Sequence, residues 1–219
     1  MALDLGPASL LVVSDGSGDR ERVLALGQAA GKGGAWGFQI REPRLGGRDL
    51  ARVAAELRGS GARIIVSDRV DVALAAGAFG VQLGERSLPA QRVRAWVGDR
   101  LRLGRSVHDA AGMGAAGAGG ADWLVFGHVF ATPAKAGLPP AGLAQLKAAV
   151  LASDRPVLAI GGIDAARVAQ VLAQGACGVA VIGAVARAED PERAVRELVL
   201  ALAAAAEGRG GSRCGKSSR

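Results

Sequence analysis

The chain has 219 residues, half of them hydrophobic, with 34 glycines, enough apolar material for the core of one large α/β domain or two small ones. Its net charge of +7 overstates the basicity of the folded part, because Arg209, Arg213, Lys216 and Arg219 carry four of those charges in a tail with no acid. Aromatic side chains are only 3% of the chain and are not interleaved with the basic residues, which argues against a surface that stacks on nucleic-acid bases.

Short apolar runs alternate with longer Ala/Leu/Val patterns along the whole sequence. The runs predict eight strands, at Leu10–Ser14, Gly37–Arg41, Ala62–Ser67, Gly80–Leu83, Leu101–Ser106, Trp123–His128, Val157–Gly161 and Gly178–Ile182. Helical patterns follow them, at about Arg20–Ala30, Gly47–Arg58, Val70–Ala76, Pro89–Trp96, Asp109–Ala118, Leu143–Leu151, Ala165–Ala173 and Pro191–Ala206. Several strand runs are apolar throughout rather than alternating, as expected of parallel strands covered on both faces. Eight strand–helix units predict an α/β fold of the (β/α)8 TIM-barrel type over residues 1–207. An open doubly wound sheet shares the local pattern, but no G-x-G-x-x-G follows the first strand. The Gly/Ser/Arg-rich tail from 208 to 219 is expected to be disordered. Glycines and charges interrupt every apolar run short of a membrane span, and the first apolar run lacks a basic region ahead of it, so it reads as a strand rather than a signal peptide. Two cysteines, Cys177 in a strand region and Cys214 in the tail, are not expected to pair, which suits a cytoplasmic protein.

In such a barrel the active residues sit at the C-terminal ends of the strands and in the loops beyond. The polar residues obey this: Asp15, then Gln39, Arg41 and Glu42, then Ser67 and Asp68, Gln82 and Glu85, Ser106 and His108, and finally His128, Thr132 and Lys135. Glycine-bearing loops at Ile160-Gly161-Gly162-Ile163 and Val181-Ile182-Gly183-Ala184 let backbone N–H groups approach an anion, and the loops after strands seven and eight are the usual phosphate site of these barrels. Gly161, Gly162, Ile182 and Gly183 are therefore the expected phosphate binders. Ser67 or Asp68 reads most simply as a helix cap. His128 stands at a strand end beside a glycine, and histidine is the side chain whose ordinary pKa suits proton transfer near neutrality, so it is the expected general acid/base. No metal-ligand cluster and no nucleophilic triad can be assembled.

Six blocks taken together, FQIRE (38–42), SDRVDVALAAGAFGVQLGE (67–85), GRSVHD (104–109), GADWLVFGHVFATPAKAG (120–137), AIGGI (159–163) and GVAVIGA (178–184), resemble the thiamine phosphate synthase/TenI superfamily in order from Leu10 to Leu200. The resemblance implies a (β/α)8 barrel that binds a thiazole phosphate. One branch of that superfamily, the synthase, joins a pyrimidine diphosphate to the thiazole phosphate with Mg²⁺. Relative to its pattern this chain keeps Gln39, Arg41, Glu42 and Asp68. It has Pro43 in place of a lysine, Ser67 in place of an asparagine, Ser87 in place of a second metal-binding aspartate and Ala134 in place of a threonine. The other branch, the TenI-type thiazole tautomerase, resembles this chain at Gly127-His128-Val129-Phe130 and implies aromatisation of a carboxythiazole phosphate by one acid/base, without metal.

On these departures the sequence is expected to encode the tautomerase, with His128 catalytic, Gln39, Arg41, Ser106, Thr132 and Lys135 binding substrate, and no cofactor. The alternatives are the synthase, with Mg²⁺, and a non-catalytic barrel that binds a thiazole phosphate. The expected partners are the small phosphate substrate and further copies of the same chain, with neither nucleic acid nor membrane.

Overall fold

The computed structural model describes residues 5–6, 8–109 and 111–208, so the basic tail beyond 208 lies outside the described residues. Eight parallel strands close into a barrel in sequence order, with β8 pairing back onto β1. They are β1 (Ser9–Val13), β2 (Gly37–Ile40), β3 (Arg63–Ser67), β4 (Gly80–Leu83), β5 (Arg102–Val107), β6 (Trp123–Gly127), β7 (Val157–Ile160) and β8 (Gly178–Val181). Each lies within a residue of its predicted start and end. The strands of the closed barrel come from a single domain, as the eightfold repeat implied.

Nine α-helices are found among the described residues: α1 (Arg20–Lys32), α2 (Gly47–Glu56), α3 (Val70–Ala75), α4 (Ala90–Val97), α5 (Ala111–Ala118), α6 (Gly142–Ala152), α7 (Val168–Leu172), α8 (Gly183–Ala186) and α9 (Pro191–Glu207). Side-chain acceptors fix where two of the longest begin. The carboxylate of Asp19 accepts the amides of Glu21 and Arg22 at the start of α1, and that of Asp190 accepts Arg193 N–H ahead of Pro191 in α9. The four-residue helix α8 has no counterpart among the predicted elements, because Gly-Ala-Val-Ala is too short to show a helical period. The expected cap at α3 is absent: the side chain of neither Ser67 nor Asp68 bonds the helix amides, and Arg69, at the cap position, makes no side-chain capping bond.

Alternation within the strands divides the core in two. Leu10, Val12, Phe38, Val81, Leu103 and Phe126 point outward and pack under the helices. Leu11, Val13, Ile65, Trp123, Val125, Leu158 and Ala180 fill the barrel itself. Both faces of the strands are therefore apolar, which is why their sequences read as continuous rather than alternating runs. Three aromatic rings gather at the base. Trp36, just ahead of β2, meets Phe79 and Trp123 edge-on with ring centroids 5.8 Å apart, and the Arg63 guanidinium lies 5.6 Å from the Trp36 ring. Cys177, buried just before β8, is disulfide-bonded. This corrects the expectation of two unpaired thiols; Cys214 lies outside the described residues.

A charge cluster braces the wall between α4, β5 and β6. The Asp122 carboxylate accepts from Arg94 Nη2 at 2.5 Å, Leu103 N–H at 2.7 Å and Arg102 Nη1 at 3.3 Å. All three side chains are largely buried, with 16–24% of their surface exposed, so water cannot replace the carboxylate if it is removed. Asp122→Ala is expected to cost about 2–4 kcal/mol by removing the largely buried carboxylate that Arg94, Arg102 and the Leu103 amide share, a fall in Tm of roughly 5–15 °C for a domain of this size. Thermal denaturation checks this, and a Tm within about 2 °C of the parent would show the cluster to be dispensable.

Candidate functional site

Closure of a parallel barrel brings the C-terminal ends of all the strands to one rim, and a cavity of about 1060 Å³ opens there. Gln39, Arg41, Ser106, His128, Thr132, Lys135, Gly161, Gly162, Ile182 and Gly183 all lie on its wall. Asp15 does not. Its carboxylate is taken by Arg22, whose Nε lies 2.9 Å away and whose Nη2 also donates to Ala186 C=O at 2.6 Å. Partial burial pushes the Asp15 carboxyl up, but the hydrogen bond and charge of Arg22 outweigh this and hold it below the ordinary value. The pair ties the β1 loop to the end of α8.

The floor of the cavity is polar and ordered by side-chain amides. Gln39 Nε2 donates to Ser67 Oγ at 2.8 Å, and Gln82 Nε2 donates to Ser106 Oγ at 3.1 Å. Ser67 and Gln82 are register partners on β3 and β4, so four residues from four successive strands form one band. Gln82 is 4% exposed, and its Oε1 is buried against Gly104 without a hydrogen-bond partner.

On the β2–β4 side of the rim stand Arg41, Asp68, Glu85, Arg86 and Ser87. Asp68 adopts φ +63°, a left-handed conformation that aspartate tolerates better than most residues. Its backbone is held there by Asp68 N–H donating to Gln82 C=O at 2.9 Å. With no amide to cap, its exposed carboxylate belongs to the cavity wall. Ser87 Oγ accepts Gly84 N–H at 2.7 Å and closes the β4 turn. His108 Nε2 is 3.9 Å from Glu85 Oε1, and its Nδ1 meets Gly127 C=O. Glu42 reads as a mouth residue in sequence, but it is 3% exposed and its two oxygens accept Gly18 N–H at 2.7 Å and Gly16 N–H at 3.1 Å. It is a brace for the β1 loop.

Across the mouth lie the glycine loops. Gly161 and Gly162 have φ +104° and +65°, and a Cβ on either would collide with the His128–Ala131 backbone and side chains, so only glycine lets these two segments lie together. The amides of Gly162, Ile163, Gly183 and Ala184 meet no backbone carbonyl among the described residues and face a cavity lined by the same residues. Such unengaged amides suit the oxygens of a phosphate. His128 belongs to the loop between the two rims: its C=O accepts Ala141 N–H at 2.9 Å and its Nε2 lies 3.4 Å from Leu138 C=O. Thr132 and Lys135 ride on the short 3₁₀ turn that follows. Sequence reasoning missed Arg167 and Arg187, which also line the cavity. Their signal was positional: each follows its glycine loop by about one helical turn.

Comparison with known proteins places these features. The family model described as "Thiamine monophosphate synthase" matches residues 10–185. A thiamine-phosphate synthase of Methanoculleus marisnigri is 46% identical over 208 residues, covering 91% of this chain and 98% of that protein. One from Thermobifida fusca is 39% identical over 208 residues, with 92% and 95% covered. Among solved structures, a thiamine phosphate pyrophosphorylase of Pyrococcus furiosus superposes with a TM-score of 0.80 at 34% identity, covering 92% and 98% of the two chains. These likenesses overturn the expectation of a thiazole tautomerase. That expectation rested on the Gly127-His128-Val129-Phe130 match together with the departures at Pro43, Ser67, Ser87 and Ala134. The cavity retains the Asp68 carboxylate and gathers arginines that no spacing argument had brought together.

Because Glu42 satisfies two loop amides, Glu42→Ala is expected to destabilise the protein by about 2 kcal/mol, lowering Tm by roughly 4–8 °C, and Glu42→Gln should recover part of this with its one remaining acceptor. An unchanged melting curve for Glu42→Ala would show that the brace on the β1 loop is dispensable.

Proposed function

The chain belongs to the thiamine monophosphate synthase family, and from that premise we propose that it joins a pyrimidine diphosphate to a thiazole phosphate and releases diphosphate. The observation that carries this reading is the pairing, on one cavity, of two facing anion stations. The rim after β2–β4 bears Arg41, Arg86 and the Asp68 carboxylate, and the rim after β7–β8 bears the glycine loops. In a ring of eight strands β3 stands opposite β7, so two phosphorylated substrates can enter with their charged ends apart and their rings meeting over the Gln39–Ser106 floor.

The reaction breaks the carbon–oxygen bond to the diphosphate, whose oxygens take the electron pair, while a thiazole lone pair closes on the freed carbon. No proton has to move, so the protein's contribution is orientation and stabilisation of charge on the leaving group. Arg41 and Arg86 supply fixed positive charge on that side. The residues also fit Mg²⁺, an ion typically held by one or two carboxylates together with substrate phosphates and water. Asp68 offers the carboxylate, exposed on the cavity wall, and no group of three or more His, Cys, Asp or Glu forms a closed cage among the described residues. Bound there, Mg²⁺ would neutralise charge on the diphosphate oxygens. Gln39, with its amide anchored on Ser67, and Ser106, anchored by Gln82, form the surface for the rings. Thr132 and Lys135 close the mouth beside the thiazole phosphate, and Gly161, Gly162, Ile182 and Gly183 receive that phosphate. His128 holds the loop that carries Thr132 and Lys135 and is a positioning residue in this scheme.

Incubation with a pyrimidine diphosphate, thiazole phosphate and Mg²⁺ should give thiamine phosphate and diphosphate in equal amounts. Asp68→Ala should lower kcat on the order of a hundredfold or more, as expected when charge stabilisation on a leaving group is lost. His128→Ala should cost less than about tenfold, well below the roughly 10²- to 10⁴-fold loss of a proton-transfer group. Absence of thiamine phosphate at any Mg²⁺ concentration would refute the assignment, and a loss of the larger size in His128→Ala would refute the positioning role.

A further inference from the structure

We propose that Arg187 is a ligand of the substrate's phosphate and sets this site's preference for a phosphorylated over an unphosphorylated thiazole. The inference rests on the functional reading above, which puts the thiazole phosphate at the glycine loops, and adds to it a side chain that the glycine pattern does not include.

Three observations carry it. The guanidinium of Arg187 folds back over Gly183: a Cβ on that glycine would overlap Nη1, Nη2 and Cζ together. The glycine therefore makes room for the cation as well as for an approaching anion. Second, the Arg187 side chain makes no ion pair or hydrogen bond among the described residues, although arginines elsewhere in the fold, such as Arg20, Arg22, Arg69, Arg94 and Arg193, are paired with carboxylates. Third, its backbone is held in place. Arg187 N–H donates to Gly183 C=O at 3.3 Å, and Arg22 fixes the adjacent Ala186 C=O at 2.6 Å. An unpaired planar fork of donors, on a fixed stem beside unengaged amides, matches the oxygens of a phosphate.

Arg167, on the neighbouring loop, is different. It donates to Gly162 C=O and stacks 4.9 Å from the centre of the Phe130 ring, so its cation is engaged in holding the Gly162 turn. The two arginines thus make separable predictions: Arg187 binds the anion, and Arg167 shapes the loop that receives it.

The test uses the full chain and inorganic phosphate as the probe. Arg187→Gln should weaken phosphate binding, followed by calorimetric titration, by about tenfold or more, the loss expected for one charge-assisted contact. Arg187→Lys should restore part of it. In turnover, the KM for thiazole phosphate should rise by a similar factor in Arg187→Gln. The KM values for pyrimidine diphosphate and for the unphosphorylated thiazole alcohol should stay within about twofold. An exposed side chain of this kind should leave the melting temperature unchanged. Phosphate affinity equal to the parent's in Arg187→Gln overturns the proposal, as does a loss seen in Arg167→Gln alone. If the chain makes no thiamine phosphate, the functional reading fails, and the phosphate titration still decides the role of Arg187.

Discussion

Closure of the sheet is the constraint on which everything else depends. Eight parallel strands, each hydrogen-bonded to the next and β8 to β1, must all end on one side, so residues scattered from Gln39 to Arg187 share a rim without any contact being specified between them. The closed ring also has no free edge. Its interior is filled by aliphatic side chains above and by the Trp36–Phe79–Trp123 cluster at the base, and the large cavity opens at the upper end.

The rim divides its charge by a simple device. Carboxylates that would compete with an anion are mostly occupied elsewhere: Asp15 by Arg22, Glu42 by the amides of Gly16 and Gly18, and Asp71 by Arg69, whose hydrogen bond holds the Asp71 carboxyl below its ordinary range. Asp68 and Glu85 are the carboxylates left exposed on the β3–β4 side of the cavity. Several arginines remain facing the same space, and that excess of positive charge is local, unlike the charge of the tail that dominates the composition.

Much of this was legible before any coordinates. The strands announced themselves because both their faces are buried, so an unbroken apolar run bounded by glycine or a charge marks each one. The glycine loops were legible because Gly161 and Gly162 need φ values and close approaches that other residues cannot supply. What escaped the sequence depended on side-chain direction. Nothing in the string shows that Glu42 turns inward to two amides while Asp68, the residue just after β3, stands exposed on the cavity wall with no amide to cap. The helix α8 is too short to have a period, and so Arg187 went unnoticed at its end. The choice between two reactions failed for a related reason. Taken together, the four substitutions and His128 seemed to dismantle the diphosphate side, although one carboxylate with arginines around it still makes a workable station for a diphosphate and its metal.

The central claim is that one mouth holds two separate anion stations facing each other. Mapping amide shifts by NMR during titration tests it directly. Thiazole phosphate should move the signals of Gly161, Gly162 and Gly183, and pyrimidine diphosphate with Mg²⁺ should move those of Asp68, Gly84 and Ser87, with each ligand leaving the other set nearly still. Both ligands perturbing one and the same set, or neither perturbing the rim, would contradict the account.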